Sequence, residues 1–420
     1  MKYATIAHLL VLVCLAQVKA EEPKPSITKQ VKPWRFQQGD RVAVVGNTFA
    51  DQLRLNGYVE TLLAARNPQQ KLRFRNLGWS GDTVSLQPRP LNHGALDDHL
   101  KQFQASVIIA CFGMNESYDG ESGLQKFTED WQAFLQHIQS TSYNGKAPPR
   151  LVIVSPIAHE YLADSFPDPA AHNRQLSTYT AQLRQLSAQH GVTFIDLFTP
   201  TTQLYQESVT PRLTKNGIHL NSYGYWAVSQ ILADHLAPSP GWRVEIDAKM
   251  QAVSPEKETP ISQLSGSNNS FTFSVHNSTL SLPPSPTGAD IHASLAERLP
   301  QLTVKNLTPG TYQLSVGGRL LAKADAQTWA KGITLAGGTT PKESEELRKA
   351  VMEKSATFFH RWRAHNSEYI FGRRAKPFGV LSFPPEMEKF DAMLQYMEQN
   401  IDQLNTPPAA QTWEFKRTAD

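Results

Sequence analysis

The chain has 420 residues, of which 40% are hydrophobic and 19% charged, and its formal net charge is +3. That length implies two or three domains, each large enough to bury a core. Charge is nearly balanced, with no basic block and no basic amphipathic stretch, which argues against a nucleic-acid partner and against a membrane-surface role.

The N-terminus reads as a targeting segment. Lys2 gives a weakly basic start, residues 9–15 form a short apolar run, and Val18-Lys19-Ala20 supplies small residues at the cleavage positions. This pattern predicts a signal peptide over residues 1–20, cleaved after Ala20, and a secreted or periplasmic protein. The apolar run is too short to span a bilayer, and no later segment is apolar enough for a membrane span. Residues 21–33 are polar with three prolines and read as a tether. Cleavage would leave Cys111 as the lone cysteine. It sits in an apolar run and reads as a small buried residue rather than half of a disulfide.

From residue 34 short apolar runs alternate with helical patterns. Strands are predicted over 41–45, 72–77, 106–112, 150–155 and 192–197. Helices are predicted over 51–65, 123–138, 173–190 and 222–236. This alternation predicts an α/β domain over 34–238, a parallel sheet covered on both faces. In such sheets ligands bind beyond the carboxyl ends of the strands. Gly46-Asn47-Thr48 and Gly113-Met114-Asn115-Glu116 both follow strands directly, so they fall on that rim.

Pro238-Ser239-Pro240-Gly241 marks a boundary. Beyond it, residues 242–246, 271–275, 279–282, 302–304 and 312–316 alternate apolar and polar side chains between Pro/Gly turns. A small antiparallel β module is expected over 241–335. The last part is helical. Leu347, Val351, Phe358 and Trp362 share one face, and Met387, Phe390, Leu394, Met397, Ile401 and Leu404 another. They predict a helical hairpin over 341–405. Between them, Phe358 to Arg363 and Tyr369 to Arg374 cluster aromatics with cations, a combination that can bind a sugar or an anion and more often is aromatic core under snorkelling arginines.

Four motifs, Gly46-Asn47-Thr48, Gly78-Trp79-Ser80-Gly81-Asp82, Gly113-Met114-Asn115-Glu116 and Asn216-Gly217-Ile218-His219, occur in order. Together they resemble the SGNH/GDSL hydrolase superfamily, and the wider pattern is similar to exported planctomycete-type SGNH proteins. The resemblance implies a flavodoxin-like three-layer fold and an ester-cleaving site without a cofactor. Thr48 stands where the family has its nucleophilic serine, and Asn216 where it has the triad aspartate. Carried over, His219 is the general base, oriented by Asn216. The Thr48 and Gly81 amides and the Asn115 side chain form the oxyanion hole. Asn47, Asp82 and Glu116 are candidate substrate contacts, and the loops holding His93 and His159-Glu160 border the same region. The scattered His and carboxylates lack metal-ligand spacing, so no metal is expected.

A threonine hydroxyl can serve as nucleophile beside a base, but its methyl restricts rotamers and crowds the attack path. An amide at position 216 cannot stabilise imidazolium by charge. The function expected is ester hydrolysis, on a carbohydrate or a lipid. The alternatives are a non-catalytic glycan-binding protein on the same scaffold and an acyl transferase. Geometry of Thr48, Asn115 and His219 around one cavity discriminates among them.

Overall fold

The computed structural model describes residues 34–90, 93–207, 212–239, 241–255, 259–286, 292–335, 340–363, 383–407 and 409–418. The expected signal peptide and tether, and the cluster from Tyr369 to Arg374, lie outside the described residues.

The first half is β1 (Arg41–Gly46), α1 (Thr48–Asn56), α2 (Tyr58–Arg66), β2 (Arg73–Asn76), α3 (Leu96–Phe103), β3 (Val107–Cys111), α4 (Gly120–Ser140), β4 (Arg150–Val154), α5 (Pro169–His190), β5 (Thr193–Ile195), α6 (Phe198–Gln206) and α7 (Ser222–Leu236). All five strands are parallel, in the order β2-β1-β3-β4-β5. Successive strand residues face opposite layers. Val42, Val44, Val107, Ile109, Val152 and Val154 meet the core under α1, α2, α6 and α7. Ala43, Val45, Ile108, Ala110, Leu151 and Ile153 meet the core under α3, α4 and α5. Burial on both faces explains why these strands read as continuous apolar runs. The expected α/β three-layer fold is thus the observed one. Its switch point lies between β1 and β3, where the chain leaves in opposite directions and a crevice opens.

The helix expected over 51–65 is two helices. Gly57, at φ 68°, caps α1 through its N–H to the Leu53 carbonyl and turns the chain into α2.

The second half differs more. Its elements are β6 (Arg243–Asp247), β7 (Ala252–Ser254), β8 (Ile261–Ser267), β9 (Ser270–Val275), α8 (Ala293–Ala296), β10 (Gln301–Lys305), β11 (Thr311–Val316), β12 (Arg319–Asp325), α9 (Ala326–Lys331), β13 (Ile333–Thr334), α10 (Pro341–Trp362), α11 (Phe383–Leu404) and β14 (Gln411–Arg417). The module expected as a single antiparallel sheet is two sheets, β13-β10-β6-β7 and β12-β11-β14-β9-β8. The first is mixed, because β6 and β10 run parallel. The two inner faces share one core, with Val244, Ile246, Leu302 and Val304 from one sheet and Phe271, Phe273, Tyr312, Leu314, Trp413 and Phe415 from the other. The module therefore does not end at residue 335. Strand β14 pairs with both β9 and β11, so the chain's last strand fills the middle of the second sheet and the helical hairpin is an insertion ahead of it. Residues 279–282 are not a strand. Leu280 instead packs with Ala65, Leu347, Val351 and Ile401 between α2 and the hairpin.

The hairpin is docked on the α/β domain by charge as well as by apolar contact. Lys354 is 2% exposed and lies 2.7 Å from Glu60 on α2, and it also donates to the Phe74 carbonyl at 3.2 Å. Burial pushes the Glu60 carboxyl up and the Lys354 ammonium down, each opposed by its partner. Arg73 donates to both oxygens of Asp402, at 2.9 and 2.7 Å, and Arg75 lies 2.6 Å from Glu398.

Candidate active site

Strand β1 ends at Gly46 and the chain turns straight into α1. Asn47 is the N-cap, its Oδ1 accepting from the Phe49 N–H at 3.0 Å. Thr48 is the first helical residue, so its hydroxyl and N–H sit at the positive end of the helix dipole. The end of β3 brings Met114 and Asn115 to the same rim. A small cleft of about 40 Å³ lies between these rims and the loop ahead of α7, and Asn47, Thr48, Asn115 and His219 all line it. Phe49, Met114, Ile157 and Ile218 form its apolar wall. The site residues spread over 172 positions of sequence between Asn47 and His219 (219 − 47) thus meet around one cavity.

Gly81 is not on the wall of that cleft but beside it. Its φ of 90° is a conformation that favours glycine, and the turn it makes is tied to Asn115, whose Nδ2 donates to the Asp82 carbonyl at 2.9 Å. One Nδ2 hydrogen is used there and the second remains to serve the cleft. Among the described residues the Thr48 hydroxyl makes no hydrogen bond to His219.

Asp82 and Glu116, expected as substrate contacts, are engaged inside the protein instead. Asp82 is 2% exposed, and Arg89 donates to its two oxygens at 2.8 and 2.5 Å. Burial raises its carboxyl pKa and the Arg89 charge opposes the rise. Glu116 accepts from the Val84 N–H at 3.0 Å and the Gly113 N–H at 2.8 Å. Burial raises its pKa against those backbone hydrogen bonds. It fastens the chain after Gly81 to the end of β3. Both carboxylates shape the rim rather than face the cleft.

The loop bearing His219 is anchored by Glu160, a residue whose role the sequence left open. It is 2% exposed and accepts from the Thr214 N–H at 2.8 Å and the Thr214 hydroxyl at 2.6 Å, while its own N–H donates to the Gly217 carbonyl at 2.8 Å. Lys215 N–H then donates to the His219 carbonyl at 2.8 Å, closing a tight turn. His159, also buried, abuts Gly217 and is held 3.2 Å from His172, Nδ1 to Nδ1. It supports the loop and is not a cleft residue. His93 packs edge-on against Trp79, away from the cleft.

Asn216 does sit at the imidazole, but with a consequence. Its Oδ1 accepts from the His219 N–H at 3.0 Å and the Ile218 N–H at 3.4 Å. Its Nδ2 is 3.0 Å from His219 Nδ1, and Oδ1 is 3.2 Å from the same atom. Both amide atoms are thus within hydrogen-bonding reach of Nδ1. An Nδ2 donor there makes Nδ1 the acceptor and puts the ring proton on Nε2, the wrong tautomer for taking a proton from Thr48, whereas an Oδ1 acceptor there keeps the proton on Nδ1 and leaves Nε2 free. Burial, and then Lys215, lower the His219 pKa, so the ring is neutral at neutral pH. Cys111 also touches the cleft, but burial pushes its thiol far up, so it is no nucleophile. Among the described residues no three His, Cys, Asp or Glu side chains converge to hold a metal ion, and no helix is long and apolar enough to cross a membrane.

The parallel sheet in this order carries a rim cleft that joins a residue after β1, an Asn after β3 and a His ahead of α7. Residues 39–227 match the model of the GDSL-like Lipase/Acylhydrolase family. Among solved structures, a gut microbial diltiazem-metabolizing enzyme is similar over 92% of this chain and 100% of its own, at 17% identity and a TM-score of 0.67. That likeness takes in the β sheets and the hairpin as well as the α/β domain, and it is a likeness of fold. An acetylxylan esterase from Geobacillus stearothermophilus matches 49% of this chain and 97% of its own at 14% identity, with a TM-score of 0.38. No curated protein sequence matches.

Proposed function

We propose that the protein hydrolyses a short-chain acyl ester, carried on a carbohydrate or a lipid, through a threonine nucleophile. The observation behind this reading is the single cleft lined by Thr48, Asn115 and His219. In the reaction, Thr48 Oγ1 attacks the ester carbonyl and its proton passes to His219 Nε2. The Thr48 and Gly81 amides and Asn115 Nδ2 hold the oxyanion. His219 then gives its proton to the departing alkoxide. Water, deprotonated by the same ring, attacks the acyl-threonine, and the ring returns that proton to Thr48 Oγ1 as the acid leaves. Each oxyanion donor of this kind is worth about 3 kcal/mol in the transition state. The apolar wall of Phe49, Met114, Ile157 and Ile218 in this small cleft supports a short acyl chain.

Two features slow the step. The Thr48 methyl crowds the attack, and the Asn216 amide admits the unproductive tautomer and supplies no charge to steady the imidazolium. They also favour a second reading, a non-catalytic glycan-binding protein that uses the same cleft. An acyl transferase needs the same nucleophile and is no better supported. The test is a panel of aryl and carbohydrate esters on pure protein with a His219→Ala control. Hydrolysis that survives His219→Ala, or is missing with every ester, would remove the catalytic reading.

A further inference from the structure

The turn Gly78–Asp82, which carries the Gly81 N–H, is held from outside the α/β domain. Arg363 directly follows α10 of the C-terminal hairpin and is 15% exposed in its side chain. Its Nη2 donates to the Gly78 carbonyl at 3.1 Å, and its guanidinium carbon lies 3.6 Å from the centroid of the Trp79 ring. Its Nη1 is 3.7 Å from Asp51 Oδ1. Asp51 in turn accepts from the Ser80 hydroxyl at 2.8 Å. Asp51 lies on α1, three positions after Thr48. One carboxylate and one guanidinium therefore join three things: the helix that begins with Thr48, the turn that carries Gly81, and the end of the hairpin. Trp79 is further packed by the Trp362 ring at 5.6 Å and by Arg89 at 4.5 Å, the same Arg89 that pairs with Asp82. Burial lowers the Arg363 pKa to about 10, so the group keeps its charge at neutral pH.

We propose that Arg363 is a positioning residue for ester hydrolysis, clamping the turn Gly78–Asp82 so that the Gly81 N–H meets the oxyanion, which makes the C-terminal hairpin part of the catalytic apparatus. The inference rests on the hydrolase reading above. A planar guanidinium suits this place because it stacks on the indole and donates in its own plane at once. Oxyanion donors act only when preorganised, and an error of about 1 Å in such a group can cost up to about a hundredfold in rate.

The test uses the full chain with Arg363→Ala and Arg363→Met, the second keeping the stem and its packing should the first fail to fold. One measurement is independent of catalysis: amide hydrogen exchange over residues 77–84, with residues 271–275 as an internal reference. We expect exchange in the turn to quicken by about tenfold in both variants and the reference to stay unchanged. Unchanged exchange in the turn overturns the proposal. The second measurement is kinetics with a short-chain aryl ester. We expect kcat to fall about tenfold with KM within about twofold, the pattern of an interaction made only in the transition state. Faster exchange with kcat unchanged also overturns the proposal, since the clamp would then be merely structural. Should the wild type be silent, the comparison is made in Thr48→Ser/Asn216→Asp protein. Silence there sinks the hydrolase reading and this proposal with it, while the exchange data still say whether the clamp exists.

Discussion

Replacing Asn216 by Asp tests the site at its weakest member. In the structure Asn216 Oδ1 already accepts two backbone N–H groups, and the amide presents both a donor and an acceptor to His219 Nδ1, Nδ2 at 3.0 Å and Oδ1 at 3.2 Å. A carboxylate has two acceptor oxygens, so one keeps the backbone bonds and the other accepts from Nδ1–H. The ring proton then moves to Nδ1 and Nε2 becomes free to act as base. In a buried serine-hydrolase triad, the opposite change costs about 10⁴ in turnover. Here Asn216 and His219 are both exposed, so the charge part is screened by solvent. A gain of about 1–2 kcal/mol remains, or roughly 5- to 30-fold in kcat/KM for an aryl ester at pH 7 to 8. The pH profile supplies a second check. His219 has a lowered pKa in the wild type, so its acid limb lies below the ordinary histidine value of about 6.5. A carboxylate beside the ring favours imidazolium and raises that pKa. Because the neutral ring is the active form, the rate is lost as pH falls through the pKa, and the acid limb must move to higher pH. An Asn216→Asp protein with unchanged kcat/KM and an unmoved acid limb would refute the tautomer argument.

The Thr48→Ser variant should raise ester turnover by about tenfold by removing the crowding methyl, whereas Thr48→Ala should reduce it to background; steady-state kinetics decides both. The Lys354→Ala variant leaves Glu60 buried without its counter-charge and should lower stability by about 3–5 kcal/mol in urea unfolding, whereas Lys354→Met combined with Glu60→Leu should cost far less. The Trp413→Ala variant removes a fully buried side chain from the central strand of the second sheet and should cost about 3–5 kcal/mol in the same assay, with little change in ester kinetics.

What the sequence made legible follows from what is local. The three inner strands were readable because each is buried on both faces and so is apolar at consecutive positions, as in Val107 to Cys111, whereas the edge strands β2 and β5 bury one residue each. The cleft was readable because Asn47, Thr48 and Asn115 each follow a strand of one sheet, whose order then brings them together. The break at Gly57 was missed because the apolar pattern runs across it and only the backbone angle records the turn. Strand β14 was missed because its partners β9 and β11 lie roughly a hundred residues or more away, beyond any local pattern. Leu280 alternates like a strand residue but is spent on a contact between domains. The supports of the site, Asp51, Arg89, Glu160 and Arg363, carry no motif. Each is an ordinary charged residue until the fold sets it against a particular backbone group.

Those supports bear on whether the cleft is built for chemistry or only for binding. Taking a carboxylate out of water costs several kcal/mol unless it is paired. Three are buried around this rim, Asp51, Asp82 and Glu160, each 4% exposed or less, and every one is turned to fixing a loop. The loops they fix are the turn at Gly81, tied to the cleft residue Asn115 through the Asp82 carbonyl, and the turn at His219, which lines the cleft. Binding a neutral sugar asks for shape and a few hydrogen bonds, and tolerates side chains that adjust. Oxyanion stabilisation and proton transfer ask for donors and base held in place before the substrate arrives. The frame therefore fits the hydrolase reading proposed above better than it fits a binding role. On that reading the double variant Thr48→Ser/Asn216→Asp should cleave aryl esters faster than the natural protein in steady-state assays, with no change in the surrounding loops.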